Sequence, residues 1–372
     1  MKKYFVLLLF ILYACNQTQK QPIGEIVIDT EEIITIPFDS LKIINFQYIP
    51  LETNANVLIA SVDKMLVLDN RIYVADFFIA QSLFVFDFQG KLLFKINYLG
   101  KGPGEYIQFI DFNVTESGDI YLWDIAQQKL IKYSENGIFL SEKTMNLKFL
   151  NFMMFPNNRM YVNQTYENEN FSKDLAYYEW NTGKCHQILP ITLSDQLKLT
   201  RFEVHYFFQS PHACYFLQRF SNIIYRLEEQ EVVPYIEIEN MPLPPKSIIE
   251  RWKKDSKEMF LEQKYLKNLT SVYESIDYIT FVMYFMLPRQ LIFQKKTNKC
   301  FQVSDLYEKT GSYTIQACNG NTYFSIIETD LMSTLNVIYK NAHEMQLSNK
   351  EQLLELEEES NPVIALFQFE IP

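Results

Sequence analysis

The chain has 372 residues, a formal net charge of −11, 15% aromatic residues and only ten glycines. That length supports one large all-β domain or two smaller domains. The acidic balance excludes a nucleic-acid binder, which needs a basic face against phosphate.

At the N-terminus, "MKKYFVLLLFILYA" sets Lys2 and Lys3 ahead of an apolar run from Tyr4 to Tyr13. This is the n-region and h-region of a secretory signal, and it is shorter than the roughly 20 apolar residues of a permanent spanning helix. In "LYAC", Leu12, the small Ala14 and Cys15 resemble a bacterial lipobox, with Tyr13 bulkier than the residue usual there. That resemblance implies removal of residues 1–14, lipidation of Cys15 and attachment to a membrane through acyl chains. Residues 15–25 then form a tether and 26–372 a single domain. Four cysteines remain, Cys185, Cys214, Cys300 and Cys318, with no C-x-x-C spacing. Neither a zinc site nor a thioredoxin-type motif is expected, and although export permits disulfides, this spacing demands none.

Self-similarity organises the rest. "IYVAD" at 72–76 recurs as "IYLWD" at 120–124, and Gly90, Gly137 and Gly183 fall 47 and 46 residues apart. Units of roughly 40–50 residues made of short alternating strands are the mark of propeller blades. Blades one to three cover residues 58–97, 106–144 and 149–190. Blade four carries "FEVHYFF", "CYFLQRF", "IIYRLEEQ" and "VVPYIEI", and blade five runs from "SVYESI" to "FQVSDL". The turns "NTGKC" and "TNKC" correspond, so Cys185 and Cys300 hold like positions two blades apart, too distant to bond. Blade six has "SYTIQAC", "TYFSII" and "NPVIALFQFE" and lacks one strand. The unpartnered "IINFQYIPLE" at 43–52 supplies it, which closes the ring and removes free sheet edges. The expected fold is an all-β, six-bladed propeller of four-stranded antiparallel blades. Two segments fall outside the blades: a helical insertion at 244–268, with Ile248, Trp252, Met259 and Leu266 on one stripe, and a short acidic helix at 348–359 opened by a Ser348–Glu351 capping box.

"LGKGPGEY" at 99–106 lacks the third glycine of a dinucleotide fingerprint and the Lys-Ser/Thr of a P-loop, and Glu105 would repel phosphate. Gly100, Gly102, Pro103 and Gly104 therefore read as a structural turn crossing between blades. The stretch 100–140 looks like an NHL-type propeller repeat. "YIPLET" (48–53), "GKGPGEY" (100–106) and "NPVIALFQF" (361–369) behind a lipobox resemble the six-bladed β-propeller lipoprotein family of Gram-negative envelopes. From blade three onward the likeness is one of rhythm, and Asp76 and Asp124 have no counterpart in "RMYVNQ". The resemblance implies a fold and an envelope address rather than a chemistry.

For chemistry, Asp76 and Asp124 end equivalent strands in adjacent blades, where paired carboxylates near the axis would bind a cation or act in acid–base catalysis. The alternative is that each caps its own turn through backbone N–H groups. Trp123, Tyr166 and Trp180 offer stacking surfaces if exposed and core packing if not. His186, His205, His212 and His343 form no metal-binding pattern, and no G-x-S-x-G elbow is present. The insertion is locally basic, suited to a partner or to solvent. No metal or cofactor is expected. The sequence thus points to a noncatalytic, monomeric, lipid-anchored module that binds a peptide, glycan or envelope protein on one face of the disc. The neutral Asn16 places it at the outer membrane facing the periplasm. Its rivals are a metal-assisted hydrolase or lyase built on Asp76 and Asp124 in the central channel, and a structural subunit of an envelope complex.

Overall fold

Short segments rich in Val, Ile, Phe and Tyr, broken by polar turns, pair with their chain neighbours into antiparallel sheets. The computed structural model describes residues 23–147, 149–155, 159–164, 173–190, 205–211, 213–218, 220–229, 231–329 and 332–372. The signal segment, Cys15, Tyr166 and His212 lie outside the described residues. Six sheets form a propeller. From axis to rim, blade one is Lys64–Leu68, Arg71–Asp76, Ser82–Phe86 and Leu92–Ile96. Blade two is Phe109–Val114, Ile120–Asp124, Lys129–Tyr133 and Phe139–Thr144. Blade three is Phe149–Phe155, Arg159–Gln164, Lys173–Glu179 and Cys185–Pro190. Blade four is Phe207–Ser210, Ala213–Leu217, Ile223–Leu227 and Val232–Glu239. Blade five is Asn268–Glu274, Tyr278–Tyr284, Pro288–Gln294 and Lys299–Ser304. Blade six is Ala317–Asn319, Thr322–Ile327 and Val363–Glu370, completed by Lys42–Pro50.

Ring closure is as the sequence predicts: Tyr48 stands opposite Ala365 and Gln47 opposite Leu366. Upstream of this latch the chain does something the sequence reading does not anticipate. Ile26–Asp29 adds in parallel to the outer strand of blade four, and Ile34–Pro37 to that of blade five. Residues 26–50 are therefore a strap around the rim of three blades, and it buries Ile28, Phe38 and Leu41.

Apolar layers fill the spaces between blades. Phe77, Tyr106 and Phe109 pack between blades one and two, and Phe149, Phe152 and Met160 lie in the layer between two and three. Phe84, Phe324 and Ile364 pack between six and one. Each fully buried side chain of this size contributes about 1.5–3 kcal/mol. None of the four cysteines is in a disulfide.

The helices differ from expectation. The insertion is two helices, α1 (Lys246–Lys254) and α2 (Ser256–Leu261), rather than one. The chain breaks at Asp255, whose extended backbone ends α1 and whose carboxylate accepts the Lys257 N–H at 3.0 Å to cap α2. Trp252 and Met259 are buried together, while Leu266 belongs to the main core beyond the helices. After α3 (Leu306–Thr310), the thirteen-residue α4 (Met332–Glu344) fills a stretch for which the sequence predicts no element. The second expected helix shrinks to α5 (Lys350–Leu354), and the Ser348 capping box does not form. Its cap position is Asn349, whose amide donates instead to the Tyr48 carbonyl at 2.8 Å and braces the latch. "SYTIQAC" yields only the short strand Ala317–Asn319.

Antiparallel strands alternate in direction, so inter-blade crossings and second-to-third-strand turns share one face. Among the described residues, all five α-helices lie in such connections. We call this the crossover face and its opposite the hairpin face.

Candidate ligand-binding channel

Asp76 and Asp124 occupy the last positions of the second strands of blades one and two, and both are fully buried. Asp76 Oδ2 accepts the N–H groups of Ala60 and Ser61 at 2.9 and 3.1 Å, and Oδ1 those of Ile79 and Ala80, both at 2.9 Å. Asp124 repeats the arrangement: Oδ2 accepts from Ile107 at 2.8 Å, and Oδ1 from Ala126 at 2.9 Å and Gln127 at 3.2 Å. Each carboxylate ties the crossing segment that enters its blade to the turn leaving the second strand. With their oxygens committed to backbone donors, the two do not form a shared site. Trp123 is likewise enclosed, stacked on Phe149 at 3.9 Å with Nε1 donating to the Phe149 carbonyl at 3.0 Å. Trp180 is partly exposed on blade three, beneath the Lys143 ammonium.

The stretch 99–106 is a turn crossing from blade one to blade two. Glu105, the residue that argues against phosphate, accepts the Gly102 N–H at 2.8 Å. Gly104 has φ +72°, and a Cβ there would lie 2.6 Å from the Phe139 ring. At Gly100 a Cβ would run into the Glu105 carboxylate.

The polar residues that meet at the axis come instead from the innermost strands. Lys64 of blade one donates to Asp111 Oδ1 and to the Phe112 carbonyl of blade two, each at 2.7 Å, and this ion pair is buried. Asp111 Oδ2 accepts the Phe152 N–H of blade three at 2.9 Å. Asn113 spans to blade four, donating to Gln209 Oε1 at 2.9 Å. These bonds fill the side of the axis next to blades two and three. Removing one partner of such a buried pair leaves an uncompensated charge and costs about 3–5 kcal/mol.

The opposite side is open. A cavity of about 280 Å³ is bounded by Asp63, Lys64, His205, Gln209, Ser271, Tyr273 and Gln316, from blades one, four, five and six. His205 Nε2 lies 2.7 Å from the Asp63 carbonyl, while its Nδ1 is shut away from solvent with no partner among the described residues. Burial, reinforced by the Lys64 ammonium, pushes the imidazole pKa down to about 4. Ser271 has φ +54°, and the ladder between the first two strands of blade five breaks around it. At the crossover mouth a second cavity of about 280 Å³ shares Val62, Gln316 and Ile326 with the first and reaches Tyr307 and Tyr313. Those two rings stack at 4.4 Å, with Tyr313 half exposed. On the same face Leu58, Phe78, Ile79 and Leu287 in loops and Leu261 at the end of α2 are more than half exposed.

A larger cavity of about 810 Å³ opens on the hairpin face, and both basic side chains of its lining are already paired with carboxylates. Arg226 pairs with Glu228 at 3.0 Å and stacks on Tyr235, and Lys295 pairs with Glu274 at 2.5 Å. Glu274 also accepts from the hydroxyls of Tyr215 and Tyr235. Sequence reasoning missed Lys64, Asp111, Asn113, Gln209 and His205 as a group. The available signal was a charged or amide residue inside otherwise apolar strands, as in "KMLVL" and "FIDFNV".

Fold and channel together define a six-bladed propeller whose axis is half filled by polar side chains and half open. The chain belongs to the family described as domain of unknown function DUF4934, whose profile matches residues 26–368. A Bacteroides fragilis protein described as exported shares the fold, with a TM-score of 0.73 at 17% identity over 93% of this chain and 99% of that one. A DUF4221 family member from Bacteroides vulgatus follows at TM-score 0.55 and 10% identity, over 89% of this chain and 98% of that one. Identities this low carry the fold alone. Among curated proteins, none matches the chain.

Proposed function

We propose that the chain is an exported, lipid-anchored, monomeric binding module of the bacterial envelope, which holds a peptide, glycan or partner protein at the crossover mouth of its channel without transforming it. The observation that carries this reading is the cavity pair at that mouth: it joins a polar interior to the half-exposed Tyr313 ring, the mixed composition of a recognition site. Asp76 and Asp124, the carboxylates a channel hydrolase would need, are taken up by backbone donors. The lipobox-like "LYAC" and the NHL-type rhythm of 100–140 support the address, and the exported neighbour agrees with it.

Val62 borders both cavities and is partly exposed at the edge of the layer between blades six and one, so Val62→Trp places an indole in the mouth. A ligand found by screening glycans and peptides against the chain is expected to lose binding in Val62→Trp while circular dichroism stays unchanged. In the same cells Cys15→Ser is expected to move the protein from the membrane fraction to the soluble one. A ligand unaffected by Val62→Trp, or a soluble wild-type chain, sinks the corresponding half of the proposal.

A further inference from the structure

Resting on the reading of the channel mouth as a binding site, we infer that its ligand is a neutral oligosaccharide, with one sugar in the axial cavity against His205, Asp63 and Gln316 and a neighbouring sugar on Tyr313.

The argument begins with the polar atoms the protein leaves over. A carbonyl only accepts, so the His205 Nε2 facing Asp63 carries the proton, and that bond fixes the imidazole in the cavity wall. Asp63 Oδ2 is occupied by the Phe77 N–H and the Ser61 hydroxyl, which leaves Oδ1 as an acceptor among the described residues. Gln316 shows the opposite excess. Its Oε1 accepts the Ile326 N–H at 2.6 Å, leaving the amide N–H groups as donors. Lys64 spends two of its three N–H groups on Asp111 and Phe112. A wall with surplus donors and acceptors side by side suits hydroxyl groups, each of which donates and accepts at once.

Charge and shape point the same way. Lys64 is already neutralised by Asp111, so an anion gains no free cation there, and Asp63 adds a negative charge that disfavours one further. An extended peptide would dock by adding to a strand edge, but the innermost strand of blade five is interrupted at Ser271, beside the cavity. The second cavity begins where the first ends, and its Tyr313 ring is backed by Tyr307 and half open. An aromatic plane one step from a hydroxyl-matched pocket accommodates a chain of at least two sugars.

The test is calorimetric titration of the full chain with cellohexaose, maltohexaose, xylohexaose and mannohexaose, beside a hexapeptide library. At least one sugar is expected to bind, with affinity falling roughly tenfold in Tyr313→Ala. Gln316→Glu, which keeps the acceptor for Ile326 and removes the amide donors, is expected to weaken binding by a similar factor. Tyr313 is exposed and Gln316→Glu is nearly isosteric, and matching thermal midpoints check that both variants fold. If no sugar binds at millimolar concentration, or one binds equally well to both variants, the inference is overturned. Peptide binding that Val62→Trp abolishes would overturn the glycan while preserving the channel as a binding site. If neither class binds, both readings fall.

Discussion

His205 sits just before the innermost strand of blade four, neutral and shut in, with its pKa pushed down to about 4. In the unfolded chain the same side chain titrates near 6.5. Between these values the unfolded state holds a proton that the folded ring refuses, so the stabilisation is complete above about pH 6.5 and is lost as pH falls toward 4. From pH 6.5 to 5 the loss amounts to about 2 kcal/mol. Asp63, whose carboxyl burial raises in pKa, works in the opposite direction, its share being lost as pH rises. The measurement is therefore a difference: urea midpoints at pH 7 and 5 should diverge more for the native chain than for His205→Gln. Equal divergence would mean that the imidazole is not shielded. Asp76 and Asp124 give the contrasting lesson at this scale. Their equivalence was legible in the repeated "IYVAD" and "IYLWD", but their role depends on which N–H groups the loops bring within hydrogen-bonding distance, and only the fold supplies those.

Among elements, the strap shows most clearly what a sequence conceals. Blades one and two were readable because their strands pair locally and Gly90 and Gly137 mark the hairpins with φ +78° and +75°. Ile26–Asp29 and Ile34–Pro37 alternate like strands, but their partners are Ile236–Glu239 and Phe301–Ser304, far along the chain and parallel. Helix α4 carries its own signal, Leu335, Ile338 and Ala342 on one face, in a stretch where the sequence reading places no element. The channel was illegible for a related reason: Lys64, Asp111 and Gln209 belong to different blades and meet only when the ring forms. The strap is part of the core rather than decoration. Phe38 is buried edge-on to Phe367 at 6.1 Å, and its N–H donates to Asp305 Oδ1 at 2.9 Å. Phe38→Ala should cost about 3 kcal/mol or more, whereas Ile34→Ala, at an exposed position of the same strap, should cost well under about 1 kcal/mol. Urea unfolding of the two variants decides the point, and equally small effects would make the strap peripheral.

The whole molecule depends on one joint. Five blades are built from consecutive strands, while blade six is completed by Lys42–Pro50 from the opposite end of the chain. Opening that joint frees the edge of the Val363–Glu370 strand and removes the hydrogen bond that Asn341 gives the Tyr48 hydroxyl at 2.6 Å. Along the latch Asn45 faces Gln368, and their side chains already meet at 2.9 Å. Cysteines at both positions, Asn45→Cys with Gln368→Cys, would therefore place two sulfurs on converging Cβ vectors at an exposed edge. A cross-link closing a loop of 100 residues restricts the unfolded chain by about 4.7 kcal/mol, and the loop from Asn45 to Gln368 is longer. If the latch governs the cooperative unfolding of the ring, the oxidised double variant should gain about 5 kcal/mol in urea relative to the same protein with reductant. Its single transition should move without broadening. A midpoint that ignores reductant, despite a bond verified by mass spectrometry, would mean that the blades give way elsewhere first. The termini would then close a ring whose stability is set by the layers between its blades.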